Sequence, residues 1–198
     1  MRQWRARPKR RLGNHLGLAG RRCHSGRAGF PVRISLDQRP HHQRAAFVVA
    51  MIIDDALALI KRFEGLELHP YQDSVGVWTI GYGATYGLDR VRVTADHSVL
   101  TNEQAEALLI RDVERFERAV TRLVTVPIDT YQEGALTSFA YNLGVGALQS
   151  STLLRRINGN EWEDVPAQFQ RWVFAGGRRL PGLIRRRAAE AELWSQNL

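Results

Sequence analysis

Apolar positions recur at helical spacing through most of the chain, and the pattern breaks at one glycine-rich stretch. Leu57, Ile60 and Phe63 predict a first helix, with Asp54 or Asp55 as its N-cap and Gly65 as its end. From Leu66 to Val93 the pattern becomes short extended runs rich in aromatic and β-branched residues, punctuated by Gly76, Gly81, Gly83 and Gly87 and turned at Ser74-Val75-Gly76. A second helix begins at Thr101, where Thr101-x-x-Gln104 has the form of a capping box. Its stripe is Ala105, Leu108, Leu109, Val113, Phe116, Val120 and Leu123, with Arg111, Asp112, Glu114, Arg115, Glu117 and Arg118 as a solvated remainder. That length and two-sided character suit a helix joining two lobes.

Pro127 interrupts the pattern. A third helix is expected behind a Thr130-x-x-Glu133 capping box, burying Leu136, Phe139, Ala140 and Leu143 and closing at Gly144. A shorter helix starts at Ser151 or Thr152, carries Leu153, Leu154 and Ile157, and ends near Gly159. Residues Trp162 to Phe174 read as helix with Pro166 in the first turn, residues 175–182 as a loop, and the remainder as a closing helix. Leu183, Ile184, Ala188, Ala191 and Leu193 are the apolar positions of that helix. The resulting fold class is α+β: a small lobe with a short antiparallel sheet, a long connecting helix and a mainly helical C-terminal lobe.

Charge changes the picture at one place. Of 28 Lys and Arg and 20 Asp and Glu, residues 1–50 hold twelve bases and a single acid, Asp37. They therefore carry +11, whereas residues 51–198, with 16 bases and 19 acids, carry −3. The net charge of +8 belongs to the N-terminal segment, so global basicity says nothing about the partner of the rest. Residues 1–44 show no sustained period of 2 or 3.6. They read as a basic extension without a core of its own, translated ahead of the working unit that starts at Met51. The other reading of this segment is a basic arm for nucleic acid, membrane or anionic wall polymer. Cys23 is the one cysteine, so no disulfide supports residues 51–198. The longest apolar run, Ala45 to Ile53, has nine residues, against the roughly 20 a membrane-spanning helix needs. No small-x-small cleavage site follows it, which argues against a signal peptide.

Candidate chemistry concentrates between residues 63 and 83. Glu64 lies at a helix C-terminus, Asp73 beside a turn and Thr79 on the returning strand, a placement that can turn two carboxyl groups and a hydroxyl toward one cleft. Taken singly, each is a commonplace positional preference. Glu67 has similar chemistry but a more exposed placement, and His69 has no partner in sequence. No Cys/His cluster offers a metal site.

Glu64, Asp73 and Thr79, with spacings of nine and six, resemble the Glu/Asp/Thr triad of phage-type lysozymes, the endolysins or muramidases. The flanking F-E-G, Y-x-D and W-T-I-G-Y-G match as well, as do Phe139-Ala140-Tyr141-Asn142-Leu143-Gly144, Ser151-Thr152-Leu153-Leu154, Arg171-Trp172 and Leu180-Pro181-Gly182-Leu183. The resemblance runs from about Ile53 to the C-terminus and leaves the first fifty residues uncovered. It implies hydrolysis of the β-1,4 bond between N-acetylmuramic acid and N-acetylglucosamine in peptidoglycan, with Glu64 as general acid, Asp73 as second carboxylate and Thr79 holding the water. The helix C-terminus and Phe63 are expected to help Glu64 keep its proton. The inverting course, a monomer without cofactor or nucleic-acid partner, and action on the wall after synthesis in the bacterial cytoplasm are also implied. Tyr141 and Asn142 are the candidate substrate contacts, and one guanidinium of Arg185-Arg186-Arg187 is placed near Glu64 or an anionic substrate, the other two on a solvated face. The sequence departs from the family at Ala84, where many members have His, and an imidazole-mediated link between lobes would then be missing. Two rivals remain: a lytic transglycosylase, which needs no water and for which one acid suffices, and a non-enzymatic cationic binder acting through the N-terminal arginines.

Overall fold

A computed structural model of the chain describes residues 41–73 and 76–197, with side chains from Ala50 onward. Residues 1–40 of the basic extension, Cys23 among them, the side chains of residues 41–49 and the residues Ser74 and Val75 of the predicted turn lie outside those descriptions. Helix α1 (His41–Glu64) is followed by strands β1 (Glu67–Gln72) and β2 (Trp78–Gly81), and then by α2 (Asn102–Leu123) and α3 (Thr130–Leu143). Two short helices come next, α4 (Val145–Gln149) and α5 (Thr152–Asn158), then a 3₁₀ turn over Trp162–Asp164 and α6 (Val165–Phe169). A two-residue-per-strand hairpin, β3 (Phe174–Ala175) and β4 (Arg178–Arg179), precedes the closing helix α7 (Pro181–Trp194). This is the expected α+β order. No helix among the described residues is long and apolar enough to cross a membrane.

Local signals explain most boundaries. Gly65 at φ 71 ends α1, a left-handed conformation that costs glycine little. Thr101 caps α2 with its hydroxyl on the Gln104 amide, and Gln104 returns the bond, as predicted. The stripe of α2 is buried at Ala105, Leu108, Leu109, Val113 and Val120. Glu117, expected in solvent, is buried too, where its carboxylate and carbonyl accept from Thr121.

Four expectations need correction. Asp54 and Asp55 do not cap α1; they lie inside it, because the helix starts at His41 and runs through Met51. The cap of α3 is Asp129 paired with Gln132, one residue before the predicted Thr130/Glu133 box. Glu133 is thereby released to accept a bond from Thr121 Oγ1 at 2.6 Å. The predicted helix over Trp162–Phe174 is broken: Pro166 does sit in a first turn, but α6 stops at Phe169 and Phe174 belongs to β3. On α7 the buried face is Leu183, Arg186, Arg187, Ala189, Glu190, Leu193 and Trp194, while Ala188 is exposed.

The core has three parts. Ile80, Ala84, Val93, Leu100, Ala105 and Leu108 fill the small lobe. Ala56, Leu57, Ile60, Leu109, Val113 and Tyr141 join α1 to α2 and α3. The largest part, around Leu136, Phe139, Leu148, Leu153, Ile157, Phe169 and Trp194, occupies the helical lobe. Helix α3 is buried from Gly134 to Asn142 on every side and packs against α1, α2 and α7, so it is the axis of the assembly. Ala84 is a core residue here, not a loss. A link between the small lobe and α2 comes instead from Arg111, which donates to the carbonyls of Gly87 at 2.6 Å and Tyr86 at 3.2 Å.

Asp55 is tucked against this axis: a Cβ added to Gly134 would stand 3.1 Å from its Cβ, and its Oδ2 is buried without a hydrogen-bond partner. Burial first, then the neighbouring Asp54 and Asp129, raises its carboxyl above the ordinary aspartate value. The folded state therefore holds this proton more tightly than the unfolded chain, and the associated stability disappears as pH rises through the folded value. Asp55→Asn should raise the melting temperature at pH 7, and the advantage should vanish below about pH 3.8, the value for an unperturbed aspartate. Thermal melts of both proteins across pH 3–7 check this; a destabilised Asn variant at pH 7 would refute it.

Candidate active site

Glu64 is the last residue of α1, and its side chain turns toward α7. Arg186 Nη1 donates to its Oε1 at 2.6 Å. The guanidinium is only 1% exposed and also bonds Glu190 Oε1 through Nε at 3.2 Å and the Ser138 carbonyl through Nη2 at 3.3 Å. Glu190 is itself fully buried, accepts from Ser138 Oγ at 2.9 Å, and lies 3.0 Å from Nη1 of Arg187. Arg187, also fully buried, donates from Nη2 to Asn142 Oδ1 at 2.6 Å and lies over the Phe139 ring. Two arginines and two glutamates thus form one connected group that starts at Glu64 and ends in the core of the helical lobe.

The electrostatics of the two arginines differ. Burial works against the charge of Arg186, but Glu64 and Glu190 together outweigh it and raise its proton affinity above the arginine norm. For Arg187 burial dominates, only partly offset by Glu190 and reinforced by Arg186, and the value is pushed down to about 10. Arg187 is therefore not the solvated surface charge predicted for it; only Arg185 is exposed. Beside the helix end and Phe63, the neighbour that Glu64 bonds is the Arg186 guanidinium at 2.6 Å.

Asp73 and Thr79 are held differently, by backbone groups of one residue. Val77 N donates to Asp73 Oδ1 at 2.9 Å, while Val77 O accepts both the Asp73 amide at 2.9 Å and the Thr79 hydroxyl at 3.0 Å. The antiparallel register sets Tyr71 opposite Thr79 and Gln72 opposite Trp78, so Asp73 leaves the ladder as the hairpin turns. A shift in register between Glu67 and Tyr71 includes Pro70, which has no amide to contribute to the ladder. Gly76 makes the turn at φ 81. Thr79 is nearly enclosed, beside the buried Ile80 and Gly81.

Tyr141 and Asn142 sit together on α3, each 3% exposed. Tyr141 donates to the Tyr82 carbonyl at 2.9 Å, two residues beyond Ile80, and its ring leans on Phe116 at 5.3 Å. Asn142 accepts from Arg187. Tyr141 thus reaches the strand-end loop and Asn142 the buried charge group. Glu67 pairs loosely with His69 at 3.9 Å and stays apart from these contacts.

Sequence reasoning missed Glu190 and Ser138, and it left open which arginine reaches Glu64. One signal was available: Glu190 stands four residues after Arg186 and three after Arg187, the spacings at which charges on a helix meet.

Comparison with known proteins bears on the family and the fold. The family model described as phage lysozyme matches residues 61–190. An endolysin of Acyrthosiphon pisum secondary endosymbiont phage 1 is 40% identical over 147 residues, 72% of this chain and 97% of that relative. Among solved structures, the endolysin from Escherichia coli O157:H7 phage FAHEc1 superposes with a TM-score of 0.64 at 37% identity, covering 73% of this chain and 92% of its own. A point mutant of P22 lysozyme gives 0.63 at 34% identity, covering 71% and 94%.

Glu190→Gln should destabilise the fold by about 3–5 kcal/mol, since it removes an acid facing two buried guanidinium groups while changing little shape. Urea denaturation checks this. A loss below about 1 kcal/mol would show that the group is hydrated and not a closed core element.

Proposed function

Because the chain belongs to the phage lysozyme family, we propose that it is an endolysin that hydrolyses the β-1,4 bond between N-acetylmuramic acid and N-acetylglucosamine, and so lyses bacterial cells. The observation that carries this reading is a core-anchored Glu64 on one element and, on the hairpin beside it in sequence, an Asp73 and a Thr79 whose side chains are fixed to the backbone of one residue, Val77. Glycoside cleavage needs a proton for the departing oxygen and a carboxylate facing the developing positive charge. Glu64 supplies the proton. Arg186, which bonds Glu64, is itself held by Glu190 and the Ser138 carbonyl, so the acid is supported from the core. Asp73 activates or faces the water, and Thr79, able both to donate and to accept, orients it. Tyr141, bonded to the Tyr82 carbonyl, and Asn142, bonded to Arg187, border the substrate, and the course inverts the anomeric centre. We place the working unit at residues 51–198, acting as a monomer on the wall after release from the cytoplasm.

Glu64→Gln should keep its fold and lose wall hydrolysis by about 10²–10⁴-fold, the usual worth of general acid catalysis. Clearing of purified walls measures it, and near-normal clearing by the folded variant would remove Glu64 from the role. In the same assay Thr79→Val, which keeps shape and strand preference, should slow turnover strongly without changing the melting temperature much. Full activity would make Thr79 a packing residue.

A further inference from the structure

A cavity of about 280 Å³ opens between the loop after β2 and the outer face of α2. Its wall contains four arginines, Arg90, Arg111, Arg115 and Arg118, against a single carboxylate, Asp112. Two of the four are already engaged. Arg111 is bonded to Asp112 at 3.2 Å and to two loop carbonyls, and Arg118 has Glu114 at 3.7 Å. Arg90 and Arg115 have no acidic partner among the described residues. The guanidinium of the exposed Arg115 lies over the Phe116 ring, 4.7 Å from its centroid, which braces it. Arg90 adopts φ 64, a left-handed conformation uncommon for a residue with a Cβ, and its amide is bonded to the Gly87 carbonyl at 3.1 Å. The loop is closed by a bridge between Tyr86 and Arg92 and pinned to α2 by Arg111, so the cationic wall is preformed. Apart from Thr85 the remaining wall is aromatic: Phe116, Tyr141 and the half-exposed Tyr86, with Arg92 over its ring at 5.6 Å.

We propose that this cavity is an oxyanion site that grips the wall polymer, taking a carboxylate of the peptide stem or a phosphate of an attached polymer between Arg90 and Arg115. Guanidinium groups present paired N–H donors that match the oxygens of either group, and a concave basic wall focuses the field on it. The site rests on the reading of the protein as a peptidoglycan hydrolase. It would hold the enzyme on its insoluble substrate between cleavage events, and Glu64 takes no part in it.

The test separates binding from cleavage. In full-length Glu64→Gln protein, co-sedimentation with purified walls at low salt gives an affinity that does not depend on hydrolysis. Adding Arg90→Gln and Arg115→Gln should weaken that affinity about tenfold, the sum of two partly exposed ion pairs. Adding Arg90→Lys and Arg115→Lys instead should lose less. Inorganic phosphate titrated into the full chain should shift the amide resonances of residues 86–92 and 115, and those shifts should be absent in the double Gln variant. Walls stripped of phosphate polymers and walls with amidated peptide carboxylates distinguish the two sources: the treatment that erases the difference between parent and double variant identifies the ligand. Equal binding by parent and double variant, or a difference that survives both treatments, overturns the proposal. Failure of the wild-type chain to clear walls would count against the hydrolase reading alone, since it is read in a different assay.

Discussion

Two arginines and a glutamate with almost no solvent contact, lodged between α7 and α3, constrain everything around them. Removing such charges from water costs several kcal/mol per ion, and only close geometry and mutual pairing offset it. Arg186 must meet Glu190, Ser138 and Glu64 at once, and Arg187 must meet Glu190 and Asn142. A one-residue slip of α7 would strand at least one guanidinium, so the register of the last helix is fixed by charge as firmly as by Leu193 and Trp194. Glu64 benefits from this rigidity, because its anchor belongs to the core of the other lobe.

The second half of the site depends on another kind of bond. Asp73 and Thr79 converge on the backbone of Val77, and the strands that carry them are held by their ladder and by Ile80 in the small-lobe core. Backbone-held groups are indifferent to the side chain at position 77 but sensitive to the turn itself. Helix α2, whose stripe contributes to both lobes, sets the distance between the two halves, and Arg111 ties it to the loop that follows the hairpin.

How legible was this in the sequence? Helix ends and the hairpin were, because glycine and capping residues act locally: Gly65 stops α1 and Thr101 starts α2 as their chemistry predicts. The α3 cap was misplaced by one residue because Asp129 and Thr130 are both good caps, with Gln132 and Glu133 both able to complete a box; packing chose between them. Asp54 and Asp55 misled for a similar reason, as acids that look like caps but lie mid-helix. The triad residues could be placed on elements and one arginine of the 185–187 run near Glu64, but not which arginine, nor the burial of its neighbour. A run of three arginines has the appearance of a wet face, and its burial becomes apparent only when Ser138 and Glu190 are brought to it by the fold.

Glu64 and Arg186 are 122 residues apart in the chain, yet they share one hydrogen bond. A ribosome delivers the acid long before its anchor, and until α7 has docked the glutamate has no fixed direction. On the proposed reading, a chain interrupted before α7 carries Glu64, Asp73 and Thr79 and still lacks the anchor of its acid. For a protein that would dismantle the envelope of the cell that makes it, the fold itself withholds the weapon until the last helix is in place.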